Sequence, residues 1–201
     1  MRFTKMHGAG NDFVVLGAVE QPLGIAPEDL PGLVSRLCDR HTGVGADGVM
    51  VLQASATGAD VAMRFYNSDG SLGEMCGNGA RCVCRYACER GYADGTVRVE
   101  TTAGLVTGWR QSRDRFRIRL NTPTVLETER VLTLDGETYC CGYAELGNPG
   151  IPHLTVEIPD LLLRIDDEEA LGALRMLGRK LRHHPALPKG ANVNFYQVTG
   201  P

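Results

Sequence analysis

The segment at residues 67–82 reads NSDGSLGEMCGNGARC, and it decides how the surrounding chain folds. Its polar start, residues 67–71, ends a strand, and its Gly-Asn-Gly sequence leads into a helix predicted over residues 78–90. Small and apolar side chains recur along this helix every three or four residues, which predicts one buried face. They are Ala80, Val83, Cys84, Ala87 and Cys88. Cys76 therefore lies where a loop becomes a helix.

The rest of the chain predicts many short strands and only two further helices. Pro27 opens one helix, and the other runs over residues 166–182, with an acidic start and a basic end that match the helix dipole. Strands are predicted near residues 1–6, 13–17, 49–52, 61–66, 96–101, 104–110, 115–120, 130–134, 138–145, 153–158 and 192–198. This pattern indicates an α+β fold with mostly antiparallel or mixed sheets. A hinge at residues 121–124 predicts two domains, at residues 1–120 and 121–201.

The composition excludes several classes of function. The chain has 201 residues, 43% of them hydrophobic and 22% charged, which is ordinary for a soluble globular protein. A net charge of -3 provides no basic footprint for nucleic acid or for an anionic membrane surface. The apolar stretches are too short to span a membrane, and the N-terminus lacks the apolar region of a signal peptide. We therefore expect a cytoplasmic protein that binds neither nucleic acid nor membrane.

Seven cysteines, four of them between residues 76 and 88, indicate reduced thiols rather than a disulfide framework. A cysteine taken alone is best interpreted as a small buried hydrophobe, and this interpretation holds for Cys84 and Cys88 on the predicted buried face. Zinc is the rival interpretation of the cluster. It is disfavoured because Cys82 and Cys84 point in different directions on a helix, and no second Cys-x-x-Cys or nearby histidine pair completes a tetrahedral set.

Cys76 is the candidate reactive group. The free N–H groups and the positive dipole end at the start of a helix favour a thiolate there. Gly77, Asn78 and Gly79 expose backbone N–H donors with little side chain in the way, which suits an anion such as an amino-acid carboxylate. A thiolate beside such donors fits the removal of a proton from a Cα atom, because the donors stabilise charge that spreads onto the carboxylate.

Other motifs carry less information. Residues 43–48 fit G-x-G-x-x-G, but they follow a helix and precede a strand, so we reject a nicotinamide or flavin site. No lysine lies in an obvious Schiff-base context, although sequence alone does not exclude pyridoxal phosphate. A single loop asparagine is usually a turn former, and a lone histidine such as His153 is more often structural than catalytic. As a group, the loop asparagines can supply neutral partners for a polar zwitterion.

Five segments resemble the motifs of the diaminopimelate epimerase family, and they occur in the family's order. The segments are residues 5–13 (KMHGAGNDF), residues 40–48 (RHTGVGADG), residues 67–81 around Cys76, residues 147–149 with His153, and residues 190–195 (GANVNF). Together they span nearly the whole chain. The combination is highly specific for the family, although no single segment is.

The resemblance implies two similar mixed-sheet α/β domains with a cleft between them, and a reaction that uses neither pyridoxal phosphate nor a metal. Members of the family interconvert LL- and meso-diaminopimelate on the route to lysine and peptidoglycan. Cys76 would be one of two acid/base cysteines on opposite sides of the Cα, with His153 as the catalytically important histidine. Gly77 and Asn78 would bind the reacting carboxylate. The rest of this small-molecule substrate, largely its distal end, would be held by Asn11, Asn67, Asn148 and Asn192.

Two departures from the family pattern affect these expectations. The family's histidine directly follows Asn-Pro, whereas Gly150-Ile151-Pro152 intervenes before His153. The chain also ends before the family's second Cys-Gly-x-Gly region, so we expect a truncated chain with an incomplete second domain, inactive alone and homodimeric when full length. Two alternatives stay open. One is a racemase of another amino acid, such as histidine, on the same fold, and the other is a non-catalytic remnant that only binds a ligand or partner.

Overall fold

The structure is a computed structural model that describes residues 1–19, 22–147 and 150–200, with the side chains of Leu162 and Leu163 left out. Its residues form two compact units, Met1–Asn121 and Thr122–Pro201. Both units combine a mixed sheet with helices, which confirms the predicted fold class.

The first unit is built on one mixed sheet, to which the described residues contribute eight strands. The strands are β1 (Thr4–Gly8), β2 (Asn11–Ala18), β3 (Gly48–Gln53), β4 (Val61–Asn67), β5 (Leu72–Gly73), β6 (Thr96–Thr101), β7 (Gly104–Arg110) and β8 (Phe116–Arg119). Their order is β1-β2-β3-β4-β6-β7-β8, with β5 paired to β4. The β2–β3 and β4–β6 pairs are parallel and the other pairs are antiparallel.

Helices cover both faces of this sheet. A 3₁₀ turn (Pro27–Asp29) leads into α1 (Leu30–Cys38), and α2 spans Gly77–Glu89. Strands β2 and β3 carry continuous apolar runs, as expected for strands buried on both sides. Val14 and Val49 pack toward α1 on one face, and Phe13 and Met50 pack toward α2 on the other. The sheet therefore holds α2, and with it Cys76, against a large apolar core.

The second unit has a smaller sheet with the order β12-β11-β10-β9. Its elements are β9 (Pro123–Leu134), β10 (Glu137–Leu146), β11 (Ile151–Glu157), α3 (Leu161–Ile165), α4 (Glu168–Arg182) and β12 (Asn192–Tyr196). Strand β12 is parallel to β11, and the other pairs are antiparallel. Leu174 and Leu181 of α4 pack with Leu154 and Val156 of β11 in its core. Asp167 caps α4 by accepting a hydrogen bond from the Ala170 N–H at 2.9 Å.

Two local predictions, the bounds of the first turn and the absence of α3, were wrong. The turn between the first two strands contains only Ala9 and Gly10, both with positive φ (48° and 95°), so the residues on either side of it extend the strands. The boundary between the two units, after Asn121, lies within the predicted hinge at residues 121–124, and β9 begins there at Pro123. Helix α3 was not predicted, because its five residues, LLLRI, are too few to show a helical period.

Candidate active site

Cys76 is the N-cap residue of α2, as the sequence predicts. Its backbone is extended (φ −129°, ψ 116°), and its carbonyl accepts the first hydrogen bond of the helix, from the Ala80 N–H at 2.8 Å. Its side chain makes no capping hydrogen bond within the described part of the chain. The thiol is half-buried and lies at the border of the core that surrounds α2. Cys76 therefore combines partial exposure with the positive end of a helix.

The other cysteines of α2 lie in a different environment. Cys84 is fully buried, as the predicted apolar face requires, and Cys82, which was not part of that face, is 3% exposed. Burial raises the pKa of the Cys82 thiol to about 11 and that of the Cys84 thiol to about 12. Both are therefore neutral packing residues at physiological pH. Cys88, also predicted to be structural, is half-buried against the same core.

The tip of the β1–β2 hairpin lies against the first turn of α2. A Cβ atom at Gly8 would come within 2.8 Å of the Asn78 carbonyl oxygen, so glycine permits this approach. The Asn78 Nδ2 donates to Asn11 Oδ1 at 2.9 Å, and Asn78 Oδ1 accepts from Arg81 Nη1 at 3.0 Å. The structure thus brings together Asn11 and Asn78, two predicted substrate-binding residues far apart in sequence.

A cluster of charged residues surrounds the other side of Asn11. Asn11 Nδ2 donates to Asp47 Oδ2 at 2.9 Å. Arg40 binds both Asp47, at 2.7 Å, and Asp12, at 2.8 Å, and Lys5 forms an ion pair with Asp12 at 2.9 Å. The bonds from Arg40 and Lys5 hold the pKa of the Asp12 carboxyl well below its usual range. Two cations and two carboxylates thus surround the predicted binding residue Asn11.

Asn67 lies at the same end of the sheet but is bonded within its own turn. It is the register partner of Gly48, which pairs in turn with Phe13 of β2. Its Nδ2 donates to Ser71 Oγ at 3.0 Å, and its backbone N–H donates to the Ser71 carbonyl at 2.9 Å. Asn67 is therefore a turn former in this structure.

Two predicted site residues of the second unit are direct neighbours. His153 and Asn192 are register partners in the parallel β11–β12 pair. Burial lowers the pKa of the His153 imidazole, which favours its neutral form. The Asn192 Oδ1 accepts from Arg182 Nη1 at 3.3 Å, and both side chains line a cavity of about 920 Å³ between α4 and β12. The third predicted residue of this unit, Asn148, lies outside the described residues.

Four residues of these clusters had no predicted role: Lys5, Arg40, Asp47 and Arg182. The first three lie inside the segments that resemble family motifs, but only the structure shows that those segments meet. Over residues 1–19, 22–147 and 150–200, no three His, Cys, Asp or Glu side chains are grouped closely enough to hold a metal ion. No helix in the same ranges is both long and apolar enough to cross a bilayer.

Solved structures define the class of fold. A probable proline racemase from Agrobacterium radiobacter K84 matches with a TM-score of 0.59 and 20% identity, over 98% of this chain and 67% of its own. A predicted epimerase from Pseudomonas aeruginosa matches with a TM-score of 0.54 and 12% identity, over 95% of this chain and 66% of its own. The fold is therefore the one shared by these racemase and epimerase structures.

Sequence relatives define the family. The family model for diaminopimelate epimerase matches residues 3–124. The diaminopimelate epimerase of Aquifex aeolicus is 39% identical over 98% of this chain and 69% of its own length. That of Pelotomaculum thermopropionicum is 38% identical over the whole chain and 73% of its own length. The chain belongs to the diaminopimelate epimerase family, which confirms the resemblance and the predicted isomerase class.

Proposed function

We propose that residues 1–201 supply one half of a cofactor-independent site that epimerises LL-diaminopimelate to meso-diaminopimelate. The observation that carries this proposal is the half-buried Cys76 at the N-terminus of α2, beside the Asn78–Asn11 pair. Membership of the family supplies the substrate and its place in lysine and peptidoglycan precursor synthesis.

Cys76 acts as one of two acid/base cysteines in this proposal. Its thiolate takes the Cα proton, so a C–H bond breaks, an S–H bond forms, and the electron pair spreads onto the substrate carboxylate. The backbone N–H groups of Gly77 and Asn78 and the positive end of α2 stabilise that charge. The thiol of the second cysteine then returns a proton to the opposite face of the Cα. The net change is inversion at one carbon, with no oxidant, reductant or cofactor consumed.

His153 is the second candidate catalytic residue of this proposal, and the remaining candidates hold the substrate. Asn11 lies beside the first turn of α2 and extends the carboxylate site, whereas His153 and Asn192 form a neighbouring pair on the second unit. The neutral form of His153, favoured by its burial, accepts or donates hydrogen bonds without adding charge. Asn67 and Asn148 are assigned to the distal end of the substrate by family resemblance.

The full-length protein is proposed to be a cytoplasmic homodimer. The compartment rests on the odd and clustered set of seven cysteines in the sequence, which is unlike a secreted disulfide framework. The dimer rests on family resemblance.

Epimerisation of LL-diaminopimelate by purified proteins tests the proposal. Residues 1–201 contain one Cys-Gly-x-Gly sequence, at Cys76, so we expect this polypeptide alone to be at least a thousandfold slower than the Aquifex aeolicus relative. A chimera that joins residues 1–201 to the segment of that relative with the second Cys-Gly-x-Gly should epimerise the substrate.

Two substitutions in the chimera separate the role of Cys76 from that of thiols in general. Cys76→Ser should abolish epimerisation, whereas Cys140→Ser, at an exposed cysteine of the second unit, should leave it unchanged. Full activity of residues 1–201 alone, or an active Cys76→Ser chimera, contradicts the proposal.

A further inference from the structure

Hydrogen bonds link four side chains in a row, those of Asp47, Asn11, Asn78 and Arg81. Only one orientation of the two amides gives every bond a donor and an acceptor. The chain runs from Asp47 Oδ2 to Asn11 Nδ2 (2.9 Å), from Asn11 Oδ1 to Asn78 Nδ2 (2.9 Å), and from Asn78 Oδ1 to Arg81 Nη1 (3.0 Å). An ionised carboxylate only accepts hydrogen bonds, and a guanidinium only donates them. If the amide of either Asn11 or Asn78 were rotated by 180°, its oxygen would face another oxygen and its nitrogen would face another nitrogen. The two charged ends therefore fix the orientation of both amides.

This orientation determines what the two asparagines offer a ligand. Each side-chain Nδ2 carries two hydrogens and uses one of them in the chain, to Asp47 or to Asn11. Within residues 1–19, 22–147 and 150–200 neither Nδ2 donates a second hydrogen bond, so the remaining hydrogen of each amide points away from the chain. Both asparagines are thus set as donors, in the same region as the N–H groups of the first turn of α2. Donors are the groups that a carboxylate requires.

The Asp47 carboxylate is itself held in place from several directions. Its Oδ1 accepts from Arg40 Nη2 at 2.7 Å, and its Oδ2 also accepts from the Asp12 backbone N–H at 3.1 Å. In return, the Asp47 backbone N–H donates to the Asp12 carbonyl at 2.9 Å. These bonds tie the loop before β3 to the start of β2. The Asp47 carboxylate therefore has a fixed position from which its Oδ2 accepts the hydrogen bond of the Asn11 amide.

We propose that Asp47 is a positioning residue that orients the amides of Asn11 and Asn78 as donors toward a bound amino-acid carboxylate. Asp47 acts through Asn11 and does not touch the substrate. The inference rests on the proposed function for the identity of the ligand. The orientation of the amides can be tested without any ligand.

Side-chain amide NMR signals of the ligand-free chain test the orientation. In Asp47→Asn, residue 47 gains a donor, so the chain loses its fixed direction. We expect the side-chain NH₂ signals of both Asn11 and Asn78 to shift or broaden. Asn121, which donates to the Ala103 carbonyl at 2.7 Å in the same unit, is the internal reference and should not change. An unchanged Asn78 signal, or an equal change at Asn121, overturns the proposal.

A matched substitution controls for damage to the loop. Asp39 lies on the same loop, and its carboxylate accepts from Thr42 and His41 without belonging to the hydrogen-bond chain. Asp39→Asn should leave the Asn11 and Asn78 signals in place, and an effect equal to that of Asp47→Asn overturns the proposal. If Asp47→Asn does not fold, Asp47→Ser replaces it. The side-chain signals of Asn11 and Asn78 must again both change, and an unchanged Asn78 signal overturns the proposal.

Ligand affinity provides the second measurement. In Asp47→Asn, the Asn11 amide loses its hydrogen bond to an ionised carboxylate. We expect this change to weaken diaminopimelate binding by about tenfold to a hundredfold. The same substitution should reduce the preference for the amino acid over its carboxamide, an effect that a general loss of stability does not produce. Binding is measured in the chimera; if the Asp47→Asn signals change as expected but neither the chimera nor its Asp47→Asn variant binds diaminopimelate, the proposed function fails and the amide orientation stands. If the Asp47→Asn variant prefers the amino acid over its carboxamide as strongly as the protein without this substitution does, the positioning role of Asp47 is overturned.

Discussion

At the scale of single residues, the stability of the candidate site depends on the ion pairs that neutralise its carboxylates. Asp12 is bound by Arg40 and Lys5, and its side chain is 26% exposed. Its Oδ1 also accepts from the Asp47 backbone N–H at 3.2 Å, so its charge contributes to the contact between two family motifs. The stability that comes from Asp12 must therefore depend on pH.

The pKa of Asp12 is lower in the folded protein than in the unfolded chain, which fixes the sign of this dependence. Its contribution to stability is complete above the unfolded pKa of about 4 and decreases as the pH falls below that value. We expect Asp12→Asn to lower the free energy of unfolding by about 1–2 kcal/mol at pH 7 and by much less near pH 2. Denaturant titrations at the two pH values measure the difference.

Asp135→Asn is the control for this prediction, because it removes a carboxylate from an ion pair with Lys180 that is well exposed to water. It should cause a smaller loss at pH 7. A loss from Asp12→Asn that is the same at both pH values would contradict the assignment of the effect to its charge.

At the scale of secondary structure elements, two helical glycines have opposite surroundings. Gly79 is in the first turn of α2, and a Cβ atom there would overlap the end of the buried Met50 side chain of β3. Gly172 is inside α4, and no atom lies within 4 Å of its ideal Cβ position. The first glycine therefore permits close packing of helix on sheet, whereas the second only weakens its helix.

Alanine at these positions should change stability in opposite directions. We expect Gly172→Ala to raise the free energy of unfolding by about 0.5–1 kcal/mol, since alanine is the better helix former. We expect Gly79→Ala to lower it by about 1–3 kcal/mol, since the added methyl overfills the core. Thermal and denaturant unfolding of both variants measure the changes. Destabilisation by Gly172→Ala would show that α4 needs glycine for a reason other than space.

The elements also show what the sequence could predict. The buried face of α2 and the position of Cys76 follow from periodicity and from the Gly-Asn-Gly sequence, which are local signals. The short helix α3 was missed because it is shorter than the patterns that distinguish helix from strand. The contact between Asn78 and Asn11 was not predictable, because it depends on how the β1–β2 hairpin lies on α2. Contacts between distant segments require the fold itself.

At the scale of the whole molecule, the two units differ in how their sheets are covered. The first unit has a core on each face of its sheet, one under α1 and one under α2. The core of the second unit lies between α4 and its smaller sheet. The first unit is therefore expected to fold alone more readily than the second, because both faces of its sheet are covered.

We expect residues 1–121 expressed alone to unfold in one cooperative transition. Two covered sheet faces provide the buried area that independent folding requires. Residues 122–201 expressed alone are the comparison and should have a lower melting temperature. A broad, non-cooperative transition of residues 1–121 would contradict this expectation.

The parallel pairing of β11 with β12 also affects how the nascent chain folds during synthesis. His153 and Asn192 become neighbours only after the chain has crossed over through α3 and α4, since parallel strands cannot be joined by a tight turn. At about 5–20 residues per second, the ribosome releases Asn192 on the order of a few seconds after His153. During that interval β11 presents an open hydrogen-bonding edge, which a chaperone or a neighbouring nascent chain can occupy before β12 arrives.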